Sequence, residues 1–476
     1  MQQNNNSTRI EEDFLGKIEV PIDAYYGGFA VRANKVFRLS GNKVNIKYIY
    51  ALVTLKKACA LANGELGVLD KKLVDAIAQA CDEILSGKFD SQFILDAFQA
   101  GAGTPTNMNT NEVIANRASE ILGGKKGEYK LVHPNNHVNA AQSSNDVMPT
   151  ALRLAALLEA KRLYENISLL EKSFDKKATE YKNFVKVGRT HLQDAVPITF
   201  GQVFEAYSEA IKRDHEYIRK SFESLLVLGI GGTALGTGIN THPKFKETVA
   251  KHLTVLTGLK VSIAKSTVET THSMNAFLYA SSSLRCLAVT LNRISNDIRL
   301  FVSGPKTGIN ELSIPEVEPG SSIMPGKVNP SVPEAMNFVC SQVISNDVGV
   351  LQGALNGQFE LNFFAPLLTH NLLESLELLT NGCFMFDEYC IKGLRVNEEQ
   401  SKKHFDNSLI YATALNPYLG YSMVSKLVTE AYQTNKPLKD MLLERKIVEK
   451  ADLEKIIANA VGPSEVDLEL VKKYKK

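Results

Sequence analysis

The stretch GSSIMPGKVNP, residues 320–330, brings Ser321, Ser322, Lys327 and Asn329 together with two glycines and two prolines. A serine in a glycine-flanked loop is free to approach a substrate, and a nearby lysine favours its alkoxide. The same mix of hydroxyls, amides and glycine recurs in GAGTPTNMNTNE (101–112), HPNNHVNAAQSSND (133–146) and GRTHLQDAVP (188–197), stretches that break an otherwise helical text. Many uncharged donors with one lysine and few acids suit a small dianionic substrate. Donors converging on a carboxylate stabilise extra negative charge as it develops.

Other chemistries fit less well. GSSIMPGK is superficially a P-loop, but five residues separate Gly320 from Gly326 where four are needed, and Val328 stands where Ser or Thr would bind magnesium. GIGGTALGTGIN (229–240) lacks GxGxxG in register, and no strand–helix alternation surrounds it. His133 and His137 stand four apart, but Asn135, Asn136 and Val138 supply no acid for a zinc site. Plainer readings stand beside the chemical one. QSSND with Pro149 could be only a helix start, with Ser or Asp as N-cap and proline in the first turn. The 320–330 stretch could be only a turn.

The elements that must position these residues read as long helices. From Phe277 the apolar positions run Ala280, Leu284, Leu287, Leu291, Ile294, Ile298 and Phe301, in alternating steps of three and four. Similar apolar-rich segments cover Leu152 to about Phe184, Phe204 to Leu228, 332–355 and 365–395. The segment Thr8–Gly41 is richer in turn residues, and 42–98 returns to helical patterns. After about Asn397 the helices shorten, and TALNPYLGY (413–421) breaks them with Asn416, Pro417 and Gly420. The expectation is a mainly all-α fold, a long central bundle with smaller N- and C-terminal domains. The boundaries fall at about 1–142, 143–396 and 397–476. Helices this long favour burial between subunits.

Composition limits the partners. The 476 residues carry a net charge of +2, so no basic surface for nucleic acid is indicated. Lys472, Lys473, Lys475 and Lys476 read as a short solvated tail. The six cysteines show no CxxC pair, which suggests free thiols in a reducing cytoplasm. The start, MQQNNNS, lacks a signal-peptide core, and no apolar run would span a bilayer. A cytoplasmic protein is expected.

GSSIMPGKVNP closely resembles the signature of the fumarase/aspartase superfamily. GAGTPTNMNTNEVIANRASEILG, QSSND, GRTHLQDAVP and GQFELN (357–362) resemble segments of its members in the same order. The likeness runs from DFLG (13–16) to the C-terminal domain. It implies a homotetramer of long helices with active sites shared by three subunits. The implied reaction is anti-elimination of ammonia or water from a four-carbon dicarboxylate to give fumarate, without an organic cofactor or a catalytic metal.

Carried over by position, Ser321 matches the general base that removes the proton beside the β-carboxylate. Thr104, Ser143, Ser144 and Ser322 match the donors around that carboxylate as it becomes an aci-carboxylate. Thr190, Lys327 and Asn329 match the clamp on the α-carboxylate, with Lys327 counted among the catalytic groups. His191 and Asn145 match groups near the leaving amine or hydroxyl. In HPNN, Asn136 replaces the acid of an accessory dicarboxylate motif, so no accessory site is assigned.

Finer features divide between the branches. Ala102, GEYK, PTALRLA and NSLIYATALNPYLGY (407–421) resemble aspartases, whereas Ser144, VHPN and GGTALGTG resemble class II fumarases. Ala30 stands at a position where the superfamily usually has threonine. The balance favours L-aspartate as substrate and ammonia as leaving group, with hydration chemistry on L-malate as the alternative.

Overall fold

A computed structural model describes residues 7–461 and 466–475. Residues 1–6 of the polar start and Lys476 of the basic tail lie outside the described residues. The chain forms two compact units. One comprises residues 1–164, 214–288 and 340–380, and the other 165–213, 289–339 and 381–476.

Helices dominate both units. The longest are Ser144–Glu180, Phe200–Glu223, Asn275–Phe301, Ser331–Leu355 and Ala365–Phe386. The seam read from sequence holds from Phe277 through Ala280, Leu284, Leu287, Leu291 and Ile294 to Ile298, all fully buried, while its last position, Phe301, is only half-buried. Each large side chain hidden in this way contributes about 1.5–3 kcal/mol relative to exposure. These helices also leave apolar residues in solvent. Tyr279 and Val289 are exposed, and Phe338 and Leu355 are 74% and 69% exposed. No described helix is long and apolar enough to cross a membrane.

Two apolar clusters anchor the ends of the chain. In the first unit Ile49, Val53, Ile77, Ile84, Val113 and Ile114 pack together. They join Ile46–Glu65, Lys71–Leu85 and Thr104–Ile121. In the second, Leu415, Leu427, Leu438, Leu442 and Leu453 form the core of the short C-terminal helices, and Val187 inserts among them.

Among the described residues, strands form four two-stranded pairs. Thr8–Asp13 pairs with Gly16–Pro21, and Val185–Thr190 pairs with Gln193–Thr199, both antiparallel. Val227–Leu228 and Ser262–Ile263 are parallel, and Leu312–Ser313 pairs antiparallel with Arg395–Val396.

Several local expectations need correction. GAGTPTNMNTNE is mostly helix, since Thr104–Ile121 is helical throughout. Its polar residues Thr106, Asn107, Asn109, Thr110, Asn111 and Glu112 are buried. GRTHLQDAVP belongs to the Val185–Thr199 hairpin, and the segment read as helix to Phe184 stops at Glu180, with a turn leading into that hairpin. Pro149 sits in the second turn of its helix, where its missing N–H leaves the Asn145 carbonyl unpaired within the helix. TALNPYLGY does not break at Asn416 or Pro417, because Ala412–Leu419 runs through both and stops at Gly420.

Candidate active site

In the first unit, the chemistry gathers at two helix N-termini. Gly101, Ala102 and Gly103 are all left-handed, at φ 78, 54 and 82°, and they turn the chain sharply into Thr104. Left-handed backbone is cheap for glycine and costly for Ala102. Ser143 caps the second helix, its Oγ accepting the Asn145 N–H at 3.2 Å. Thr104, Ser144 and Asn145 therefore lie in first turns, at the positive end of each helix dipole, which favours an anion. The Asn107 amide donates to Ser144 Oγ at 3.2 Å, which ties the two helices together.

Asp146, which the sequence offered only as a candidate helix cap, organises this corner. Its Oδ1 accepts the Ser143 N–H at 2.9 Å, and its Oδ2 accepts those of Gly231 and Thr233 at 3.0 and 2.9 Å. Asn145 donates to the Ala234 carbonyl at 2.8 Å. The glycine-rich loop is thus a cradle for a buried carboxylate rather than a nucleotide site. Burial pushes the Asp146 carboxyl up to about 6, against those three N–H groups and the charge of Lys56.

Lys56 is a second residue that sequence pattern missed. It is fully buried and donates to Asn139 Oδ1 and Gln142 Oε1 at 2.8 and 2.9 Å. Burial pulls its ammonium down to about 7. Asn107 and Asn111 also donate to Asn139 Oδ1, so a polar layer underlies Ser144. Nothing in a single sequence marks such a lysine, because its neighbours Lys57 and Thr54 carry the same helical pattern.

In the second unit, Thr190 and His191 occupy the tip of the hairpin. The turn is His191–Leu192, with φ of 55 and 61°, and no glycine relieves either position. Both residues are exposed. In the first unit, His133 caps the turn that follows it: its Nδ1 accepts the N–H groups of Asn135 and Asn136 at 3.1 and 3.3 Å.

Ser321, Ser322, Lys327 and Asn329 lie on an open loop of the second unit. The loop is closed at its base by Gly320 N–H to the Lys327 carbonyl, 2.8 Å, and by Asn329 Nδ2 to the Gly320 carbonyl, 2.8 Å. A Cβ on Gly320 would lie 2.6 Å from that Lys327 oxygen and 2.7 Å from the Asn329 nitrogen, so only glycine fits. Ser321 Oγ accepts the N–H groups of Met324 and Ile323 at 3.0 and 3.2 Å. Two N–H donors on a hydroxyl oxygen favour its deprotonated form, which is what a serine base requires. Among the described residues, no hydrogen bond joins this loop to Thr190 or His191. The residues singled out from sequence thus divide between the two units, and in the second the Thr190–His191 tip and the Ser321 loop are separate stretches. Among the described residues, no three His, Cys, Asp or Glu side chains gather as a metal site.

Comparisons with known proteins identify relatives of the chain. A family model described as Lyase matches residues 16–345, and one described as Fumarase C C-terminus matches 412–459. An aspartate ammonia-lyase from a Bacillus species is 43% identical over 95% of this chain and 97% of its own. That of Escherichia coli K12 is 42% identical over 97% of each. Among solved structures, a class II fumarase from Schistosoma mansoni superposes with a TM-score of 0.91 at 36% identity, covering 95% of this chain and 98% of its own. A cobalt-bound protein described as fumarate lyase:delta crystallin, from Brucella melitensis, has a TM-score of 0.91 at 39% identity over 98% of this chain and 100% of its own.

Proposed function

The chain belongs to the lyase family, and from that membership we infer that it catalyses reversible anti-elimination of ammonia from L-aspartate to give fumarate. It is a carbon–nitrogen lyase. The observation that carries this reading is its near full-length similarity to aspartate ammonia-lyases.

We propose the following roles. Ser321 Oγ, favoured as alkoxide by the Ile323 and Met324 N–H groups, takes the proton from the carbon beside the β-carboxylate. The electron pair of that C–H bond moves into the carboxylate, giving an aci-carboxylate. Thr104, Ser143, Ser144 and Ser322 donate to its oxygens, and each such donor is worth about 100-fold or more in rate. The pair then returns to form the double bond as the C–N bond breaks. The amine enters as ammonium and leaves as ammonia, so this step needs no acid to protonate it. Thr190, Lys327 and Asn329 hold the α-carboxylate, and His191 and Asn145 face the leaving amine. The reading requires no organic cofactor.

We also propose a homotetramer in the cytoplasm, with each active site drawn from three subunits. The exposed apolar residues Tyr279, Phe338 and Leu355 on the long helices support it, since water is a poor neighbour for them. The three-domain division at about 142 and 396 belongs to the same proposal. Fumarate absorbance followed from L-aspartate and from L-malate tests the activity. Appearance from aspartate with release of ammonia is expected. Appearance only from malate would reassign the chain as a hydratase, the reading favoured by Ser144 and the likeness to a class II fumarase.

A further inference from the structure

Glu311 is completely buried, yet it is not among those site residues. Four segments of its unit meet on it. Arg189, one residue before Thr190 on the hairpin, grips the carboxylate with both guanidinium nitrogens, at 2.7 Å to Oε1 and 3.1 Å to Oε2. His404, from the Glu398–Asn407 helix, places Nδ1 at 2.8 Å from Oε1, while its Nε2 lies 2.8 Å from the Gln400 amide nitrogen. A ring protonated on Nδ1 satisfies both contacts. The Glu311 N–H bonds the Phe301 carbonyl, and its carbonyl receives the Asn397 N–H, both at 2.9 Å. Lys186 Nζ stands 3.9 Å away.

The position in the chain matters as much as the bonds. Glu311 immediately precedes Leu312–Ser313, the short strand from which the chain runs out to Ser321. Arg189 lies two residues before His191. One carboxylate therefore fixes the last ordered pairing before the loop and the root of the hairpin tip. Burial alone would raise Glu311, but Arg189, His404 and Lys186 outweigh it and hold the carboxyl below the usual range. Buried ion pairs of this kind seldom add net stability over a well-packed apolar substitute, because desolvation offsets the attraction. What a bidentate Arg–carboxylate contact supplies is fixed geometry.

We propose that Glu311 is a positioning residue that sets the Thr190–His191 tip relative to the stem of the Ser321 loop. The proposal rests on the lyase reading for the roles of those residues. It touches no substrate atom. Its action runs through Arg189 on one side and through its own backbone on the other. A shift of about 1 Å in such a site costs on the order of 100-fold in rate.

The test is a double-mutant cycle on the full chain. Glu311→Gln keeps the shape but turns an amide N–H₂ toward Arg189. We expect kcat/KM for L-aspartate to fall about 10- to 100-fold, and Thr190→Ala to cost several-fold less in the Glu311→Gln background than in wild type. A displaced tip no longer benefits from Thr190. If Glu311 only holds the fold, Glu311→Gln will lower the melting temperature, leave kcat and KM in place, and leave the Thr190→Ala penalty unchanged. That result would overturn the proposal. Should Glu311→Gln fail to fold, Arg189→Lys keeps the charge and removes the fork, and it must show the same reduced penalty. If wild type turns over only L-malate, the cycle is run on malate. If it turns over neither, the cycle is run on succinate affinity by calorimetry. The lyase reading and the positioning role thus fail separately.

Discussion

The Asp146 carboxylate receives the Thr233 N–H at 2.9 Å, across 87 residues of chain. The motif that carries Ser143 and Ser144 is thereby fastened to the glycine-rich loop. Two stretches that look independent in the sequence are two sides of one contact.

Asp146→Asn should uncouple them. Asparagine offers a single acceptor oxygen, so it can serve Ser143 or the Gly231–Thr233 pair, and its N–H₂ opposes the other side. Leaving buried N–H groups unpaired costs about 1–3 kcal/mol. Urea unfolding should show that loss of stability, together with a fall in turnover as Ser143 loses its anchor. Unchanged unfolding and turnover would mean that the cradle is incidental.

Ser321→Ala should remove turnover without disturbing the fold. A positioned proton acceptor is worth about 100- to 10,000-fold. The loop around it is open to solvent, so stability should move by less than about 0.5 kcal/mol. Steady-state kinetics and thermal melting on the same sample separate the two. A rate near wild type would take Ser321 out of the mechanism.

Glu112 ties the middle of the Thr104–Ile121 helix to the start of Gly28–Val36. It accepts the N–H groups of Gly27, Phe29 and Ala30 at 2.8, 2.8 and 3.2 Å. Burial, joined by the charge of Glu11, pushes its carboxyl up to about 8 despite those donors. A carboxyl raised on folding contributes stability below its unfolded value, and this is lost as pH rises through the folded one. Wild type should therefore lose ground to Glu112→Gln between about pH 4.5 and 8. Melting temperatures of both proteins at pH 5.5 and 8.5 check this. A gap that widens in favour of wild type at pH 8.5 would reverse the sign and refute it.

How far the sequence foretold these features depends on the kind of signal each one leaves. The seam from Phe277 to Ile298 is legible because helical spacing and burial coincide there. The Thr104 helix is not, because a buried polar helix has no apolar stripe and looks like a loop. The Val185–Thr199 hairpin escapes because His191–Leu192 carries none of the usual Asn-Gly turn chemistry. The Ser321 loop stands out because glycine and proline interrupt a helical text. Lys56 and Glu311 leave no local trace, since each works through partners distant in sequence, and Asp146 shows locally only as a candidate helix cap, its hold on Gly231 and Thr233 being distant.

The turn at His191–Leu192 also bears on how this protein can change. Two left-handed residues without glycine each hold back about 1 kcal/mol or more. Selection for heat tolerance alone would favour glycine or asparagine at the tip. On the proposed role of His191 beside the leaving amine, selection for chemistry would keep an imidazole there. The same two positions thus answer to opposing demands, and lineages living at different temperatures should resolve that conflict differently at the hairpin before they do so in the helical core.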